Sequence, residues 1–337
     1  MRGTIEAVAM DTGTLRQANG SSEMELMKAV RIHKYGGPEV LQYEDVPRPQ
    51  LGNGEVLIRI YAAGVNPVDW KVRSGFLNGL IHHKLPLIPG WDLSGVIEEV
   101  GPGVSQFKKG DEVFSKPDTS RDGAYAKYVT VRESEVALKP KSLHHVYAAA
   151  VPLAGLTAWQ ALFDVAQLRR RQSVLIHGGS GGVGHFAVQL ARWKGAHVIA
   201  TASTKNQQLL REIGVEQPID YTTQRFEQVA EDVDVVLDTI GGETQERSWK
   251  VLKQGGLLAS IVQPPGADKA KRFGVRSAFV LSNTNRNELA GIAALIDSGN
   301  LKVVLDRILP LSEVRRAHEL SQSGHVRGKI VLRVKED

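Results

Sequence analysis

The stretch SVLIHGGSGGVGHFAVQLA, residues 173–191, constrains the fold more than any other segment of this chain. An apolar run, a glycine-rich turn and a helical repeat follow one another without a break, which is the strand–turn–helix order of a nucleotide-binding βαβ unit. Gly179, Gly181 and Gly184 keep the GxGxxG spacing, and Ser180, Gly182 and Val183 lie on the same turn. Glycine permits a tight turn and lets a pyrophosphate approach the backbone, where free N–H groups and the positive end of the helix meet its charge. In the helix, Val183, Phe186, Ala187, Leu190 and Ala191 recur at i, i+3, i+4, i+7 and i+8. That repeat makes one apolar stripe for packing on a sheet.

Further strand and helix patterns surround this unit. SVLIHG (173–178), HVIATA (197–202), VDVVLDTIG (233–241) and GGLLASIV (255–262) read as strands separated by segments long enough for crossover helices. A doubly wound parallel sheet covered on both faces follows. From Lys28 to about Val131 the chain instead shows short alternating stretches broken by turn residues, the pattern of a small β-rich unit. Residues 144–168, rich in Ala and Leu at helical spacing, connect the two. After Asn283 come a helix (288–299), a strand LKVVLD, a helix SEVRRAHELSQSG and a last strand KIVLRV, expected to return to the first unit. The 337 residues suit two domains. We expect residues 155–284 to form the nucleotide-binding domain, 27–154 with 285–337 the β-rich domain, and 1–26 a loosely held tail, with Met24 or Met27 as alternative starts.

Composition narrows the chemistry. The chain has no cysteine, so disulfides, thiolate zinc sites, iron–sulfur clusters and a Cys nucleophile are excluded. Forty-two Lys and Arg against 37 Asp and Glu leave a net charge of +5, spread along the chain with no basic run beyond Arg169, Arg170 and Arg171. A nucleic-acid surface has little support in that pattern. No window approaches 18 apolar residues, and the N-terminal stretch has neither a signal core nor the acid-poor composition of a transit peptide. The expectation is a cytoplasmic protein without a membrane partner.

The end of the second strand discriminates between cofactors. A carboxylate there would hold a ribose 2′-hydroxyl, but residues 200–206 read ATASTKN. Ser203 can hydrogen-bond a 2′-phosphate and Lys205 can neutralise it, so NADP is favoured over NAD. Tyr221, in IDYTT, covers the adenine, reaches the phosphate, or is an ordinary surface tyrosine. Ile240, Gly241, Ile261 and Val262 end the third and fourth strands, where ligands lie on such sheets, although packing explains the apolar three equally well.

Together these stretches resemble the zinc-free quinone oxidoreductase-like branch of the medium-chain dehydrogenase/reductases. The residues that carry the resemblance are AAGVNPVDWKVRSG (62–75), IPGWDLSGVIEEVGPGVSQFKKGDEVF (88–114), GAYAKYV, AAAVPLAGLTAW (148–159) and HGGSGGVG, followed by IDYTT, DTIGGE, GGL and GKIVL. The resemblance spans about Lys28 to Val334. It implies an α/β protein with a GroES-like catalytic domain and a Rossmann domain, the active site in the cleft between them, and a homodimer formed by edge pairing through RSAFVLSN (276–283). Zinc-dependent alcohol dehydrogenases carry a Cys in the place of Asn66 and a His–Glu pair in the place of Trp91 and Asp92. Neither Asn nor Trp replaces those ligands, so no metal is expected, and the adjacent pairs His82–His83 and His144–His145 read as solvated loop residues.

Without a Lewis acid, reduction of a conjugated acceptor is easier than that of a simple ketone, because the added charge is delocalised and hydrogen bonds suffice. The expected activity is therefore NADPH-dependent reduction of a quinone or an α,β-unsaturated carbonyl. Asn66 is the candidate to orient the nicotinamide ribose or the substrate oxygen, unless it is only a turn residue before Pro67. Lys71 stands where this branch commonly has a Tyr, and is the candidate to stabilise charge or deliver a proton. Thr157, in GLTAW, matches a position that contacts the nicotinamide end. Asp69 and Asp92 are read as capping residues, and Tyr61 as a cleft or core residue. Two other readings stay open: a zinc-dependent alcohol dehydrogenase, and an NADPH-binding protein without catalysis.

Overall fold

The computed structural model describes residues 25–335. The tail expected at 1–26 lies outside them except for Glu25 and Leu26, and both of these are held. The Glu25 carbonyl accepts from the Arg48 N–H at 2.8 Å, and Leu26 opens the first strand.

Seven strands come first: β1 (Leu26–Ile32), β2 (Leu41–Pro47), β3 (Glu55–Val65), β4 (Leu93–Val100), β5 (Glu112–Ser115), β6 (Tyr128–Arg132) and β7 (Val136–Leu138). Six follow: β8 (Ser173–Ile176), β9 (His197–Ala202), β10 (Gln217–Asp220), β11 (Val233–Asp238), β12 (Leu252–Ser260) and β13 (Arg276–Phe279). Two close the chain, β14 (Leu305–Pro310) and β15 (Lys329–Arg333).

β1 and β2 form an antiparallel ribbon. The long, largely apolar β3 is the centre of a seven-stranded sheet ordered β14-β15-β3-β4-β5-β7, with β6 also paired to β3. The C-terminal strands thus join the sheet begun by the N-terminal ones, β15 lying antiparallel to β3. The other six strands form a parallel sheet ordered β10-β9-β8-β11-β12-β13. Succession runs outward from β8 in one direction and from β11 in the other. Ligands of such sheets bind at this switch point, beyond the strand C-termini.

The helix Gly184–Lys194 buries Phe186, Ala187, Leu190 and Ala191 against the sheet, as the stripe predicts. The helix Arg286–Asp297 buries Leu289 and Ile292 in the same core. At its end, Asp297 accepts the N–H groups of Lys141 and Ser142 at 3.1 and 2.9 Å and so ties down the connection between the sheets.

Three sequence expectations change. The strand expected at LKVVLD begins only at Leu305, because the Gln189 side chain takes both the N–H and the carbonyl of Lys302, at 2.8 and 2.9 Å. The helical connection at 144–168 breaks into His145–Ala148, Pro152–Trp159 and a π-helical turn over Gln160–Val165. His145 is not a solvated residue: it is 6% exposed, bonds Ser94 Oγ at 2.8 Å and stacks on Tyr61.

Candidate functional site

At the end of β8 the chain turns at Gly178, the turn glycine whose φ, +64°, lies in the left-handed region. A Cβ at Gly184 would stand 2.1 Å from the Gly178 carbonyl, and one at Gly179 would stand 2.8 Å from Ala200 Cβ. These two glycines let the helix and strand approach each other. At Gly181 a Cβ would stand 3.2 Å from the Gly178 carbonyl and at Gly182 3.3 Å from Lys329 Cδ, so these two positions are less crowded than Gly179 and Gly184 but still closely bounded. Val183 is the N-cap of the helix, and no side chain caps that end. The turn and bare helix terminus therefore fit a pyrophosphate. Ser180 is mostly buried and its carbonyl accepts from Gly328 N at 2.8 Å, which joins the turn to the C-terminal segment. His185 bonds the Gly181 carbonyl through Nδ1 at 2.9 Å; burial lowers its pKa to about 4, so it is neutral.

Beyond β9, Ser203 precedes a helical turn over Thr204–Asn206 that leaves Lys205 exposed. The Tyr221 N–H donates to the Ala202 carbonyl at 3.2 Å, which brings the exposed Tyr221 to the same rim. A residue that the sequence reading omitted is also close. Asp220 ends the neighbouring strand, and its carboxylate accepts from the N–H and hydroxyl of Thr222 at 3.0 and 2.7 Å. Hydrogen bonds from Thr204 and Thr222 lower its pKa.

The ends of β11 and β12 form an apolar ledge. Ile240 is 53% exposed and lies over Gly178, while Ile261 and Val262 are half-buried. The fully buried Asp238 organises this ledge by accepting from Ile240 N, Gly241 N, Gln245 Nε2 and Ser260 Oγ within 3.0 Å. Its only sequence signal was its place in DTIGGE.

On the other side stands Asn66, the extended N-cap of helix Pro67–Arg73. The following proline disfavours helical dihedrals at Asn66 and starts the helix. Asn66 is 2% exposed: its Nδ2 donates to Asp92 Oδ2 at 2.7 Å and its Oδ1 accepts from Lys329 Nζ. Lys329 also donates to the Val65 carbonyl at 3.0 Å and lies 3.3 Å from Asp92 Oδ2. The second Asp92 oxygen accepts from Leu153 N at 2.6 Å, anchoring the start of helix Pro152–Trp159. Burial raises the Asp92 pKa, opposed by Lys329 and these hydrogen bonds. Lys329 was not among the sequence candidates, although GKIVL contains it.

Asp69 Oδ2 accepts from Asn66 N and Tyr125 OH, each at 2.7 Å, and burial lifts its pKa to about 7. Lys71 is half-exposed, 5.8 Å over the Trp70 ring, with its pKa lowered by burial. The Thr157 hydroxyl donates to the Leu153 carbonyl at 2.7 Å, so toward a ligand it acts as an acceptor. Tyr61 is neither in the core nor with these residues. It lines a recess with Glu112, Lys139 and His145, under Lys335.

The alcohol dehydrogenase GroES-like domain model matches residues 52–141, and the zinc-binding dehydrogenase model matches residues 213–332. The chain is 38% identical over 320 residues to 2-methylene-furan-3-one reductase of Solanum lycopersicum, covering 91% of this chain and 79% of the relative. It is 36% identical to the chloroplastic NADPH-dependent alkenal/one oxidoreductase of Arabidopsis thaliana, with the same coverage. The solved quinone oxidoreductase of Coxiella burnetii superposes with a TM-score of 0.86 at 36% identity, over 92% of this chain and 100% of that one. The chain belongs to the medium-chain dehydrogenase/reductase family.

In this medium-chain dehydrogenase/reductase, Asn66, Trp91 and Asp92, which the resemblance sets at the places of zinc ligands, make other contacts. Trp91 is fully buried and donates Nε1–H to the Arg121 carbonyl at 3.1 Å, while Asn66 and Asp92 are engaged with Lys329. Among the described residues, no group of three or more His, Asp or Glu is placed to hold a metal, and no helix is long and apolar enough to cross a membrane.

Proposed function

We propose that this oxidoreductase uses NADPH to reduce a quinone or an α,β-unsaturated carbonyl without a metal ion. The observation that carries the proposal is Lys329. Its ammonium neutralises Asp92 and bonds Asn66 in the region where zinc-dependent relatives bind their cation. An ammonium cannot polarise a carbonyl as zinc does, but a conjugated acceptor delocalises the incoming charge and needs only hydrogen-bond donors.

The cofactor, when bound, supplies the hydride. Gly178 to Gly184 would hold the pyrophosphate, with Ser203, Lys205 and Tyr221 at the adenosine end and the ledge of Ile240, Ile261 and Val262 excluding water. NADPH over NADH is supported by the absence of an acid on β9 and by the NADPH dependence in the Arabidopsis relative's name. Thr157 offers an acceptor near the nicotinamide end. Asn66 keeps one N–H for a substrate oxygen or the nicotinamide ribose. The Lys71 ammonium, with its pKa lowered by burial, is the proton source. A homodimer is part of this reading: β13 is the edge of its sheet, and Phe279 and Leu281 beside it are 38% and 69% exposed.

The test follows NADPH absorbance with enones, alkenals, quinones and simple alcohols, with and without chelator. Turnover of conjugated acceptors that survives chelation is expected. Loss of activity on chelation, or turnover of alcohols alone, overturns the mechanism, and no turnover of any acceptor favours a binding protein.

A further inference from the structure

Lys329 is 3% exposed, and its ammonium is held by the Val65 carbonyl, Asn66 Oδ1 and Asp92 Oδ2. Its stem, however, lies on the cofactor side. A Cβ at Gly182 would stand 3.3 Å from Lys329 Cδ and 3.4 Å from the Gly328 carbonyl, and Gly328 N donates to the Ser180 carbonyl at 2.8 Å. One side chain thus spans from the phosphate-binding turn to Asn66.

The chemistry of the three groups fixes more than distance. An ammonium only donates and an ionised carboxylate only accepts, whereas a primary amide presents a different group on each side. Lys329 therefore requires the oxygen of Asn66, and Asp92 requires its nitrogen. The alternative amide rotamer would set N–H against ammonium and oxygen against carboxylate at about 3 Å, two repulsive contacts in a buried site. With both partners in place, one Asn66 N–H is left over for a ligand.

We infer that Lys329 is a positioning residue, which with Asp92 locks Asn66 as a donor and ties that orientation to the phosphate-binding turn. The inference rests on the cofactor reading above and deepens it. Substituting Lys329→Met together with Asp92→Asn removes cation and anion at once. The new amide can keep its oxygen on Leu153 N and turn its nitrogen toward Asn66, which favours the reversed Asn66 rotamer.

Four proteins decide the matter: wild type, Asn66→Ala, the Lys329→Met/Asp92→Asn pair, and all three changes combined. Steady-state kinetics with an enone or quinone is one readout, and the emission and affinity of bound NADPH, which need no turnover, are the other. The pair is expected to lower kcat about a hundred- to a thousandfold, the scale of one lost transition-state donor, with NADPH affinity changed less than threefold. The triple variant should be no slower than Asn66→Ala, and the emission change of bound NADPH should be the same in all three variants. Multiplying losses, wild-type kcat in the pair, or a loss confined to NADPH affinity overturns the inference. If wild type reduces no acceptor, the functional reading fails by itself and the emission comparison decides the positioning role: equal changes support it, additive or absent changes overturn it. If the pair melts too early to assay, Lys329→Arg and Gly182→Ala take its place. The first keeps a donor on Asn66 and should retain wild-type emission; the second presses a methyl on the Lys329 stem and should fail to add to Asn66→Ala. The opposite results overturn the inference.

Discussion

Substituting Asp69→Asn should make the protein more stable relative to wild type as pH rises. Asp69 is fully buried, and both of its bonds, from Asn66 N and Tyr125 OH at 2.7 Å, end on Oδ2, while Oδ1 has no partner. Its pKa rises from 3.8 to about 7 because burial penalises the carboxylate. A raised acid pKa means that the folded state holds the proton more tightly than the unfolded state does. The resulting destabilisation is absent well below pH 4, grows between pH 4 and 7, and is complete above pH 7. Three units amount to about 4 kcal/mol in full, of which about 2–3 kcal/mol develops between pH 5 and 8.5. An asparagine keeps the acceptor for both bonds and carries no charge, but leaves an unpartnered amide nitrogen that costs about 1–3 kcal/mol at every pH. The two proteins should therefore be of similar stability at pH 5, and the variant should gain about 2–3 kcal/mol on wild type by pH 8.5. Lys329 and Asp92, the charged groups that act on the Asp69 carboxylate, do so only in wild type, and their effect is already contained in its raised pKa. Urea unfolding of both at the two pH values measures the gap. A gap that stays within about 0.5 kcal/mol between them refutes the idea that this carboxyl is buried at a cost.

Lys205→Glu should weaken NADPH about ten- to a hundredfold while leaving NADH nearly unchanged, as one ion pair with the 2′-phosphate becomes a repulsion; equal effects in fluorescence titrations remove Lys205 from the cofactor site. Gly184→Ala should abolish NADPH binding and lower the melting temperature, since its Cβ would stand 2.1 Å from the Gly178 carbonyl; a variant that binds and melts like wild type contradicts the close helix–strand approach. Gly178→Ala, at φ +64° with Thr239 Oγ1 2.7 Å from the added Cβ, should cost about 1–3 kcal/mol in urea unfolding. Asn66→Ala should lower kcat for a conjugated acceptor more than it changes NADPH affinity; the reverse pattern in steady-state kinetics would place Asn66 with the cofactor alone.

Much of this protein is legible in order along the chain because the signals are local. The strand, glycine turn and amphipathic helix at 173–191 need only near neighbours to be recognised, and they specify a parallel sheet. The missing acid in ATASTKN is equally local, as are the absence of cysteine and of the zinc-ligand residue types. What the chain order could not express was the company each residue keeps. Gly178, just before the GxGxxG glycines, takes the left-handed turn, and Gly179 leaves no room for a side chain because its Cβ would stand 2.8 Å from Ala200 of the next strand. His145 looked like half of a solvated pair until the fold set it between Ser94 and Tyr61. Asp220, silent in IDYTT, reaches the Ser203 rim only because β10 pairs with β9. Lys329 lies 263 residues from Asn66 in sequence, and only β15 pairing with β3 brings its ammonium to that amide. Local periodicity and residue chemistry thus determine which elements form and where a phosphate-binding turn falls among them. The orientation of Asn66 is decided by tertiary structure, because an amide's two faces are distinguished only by the donor and acceptor that the fold places against them.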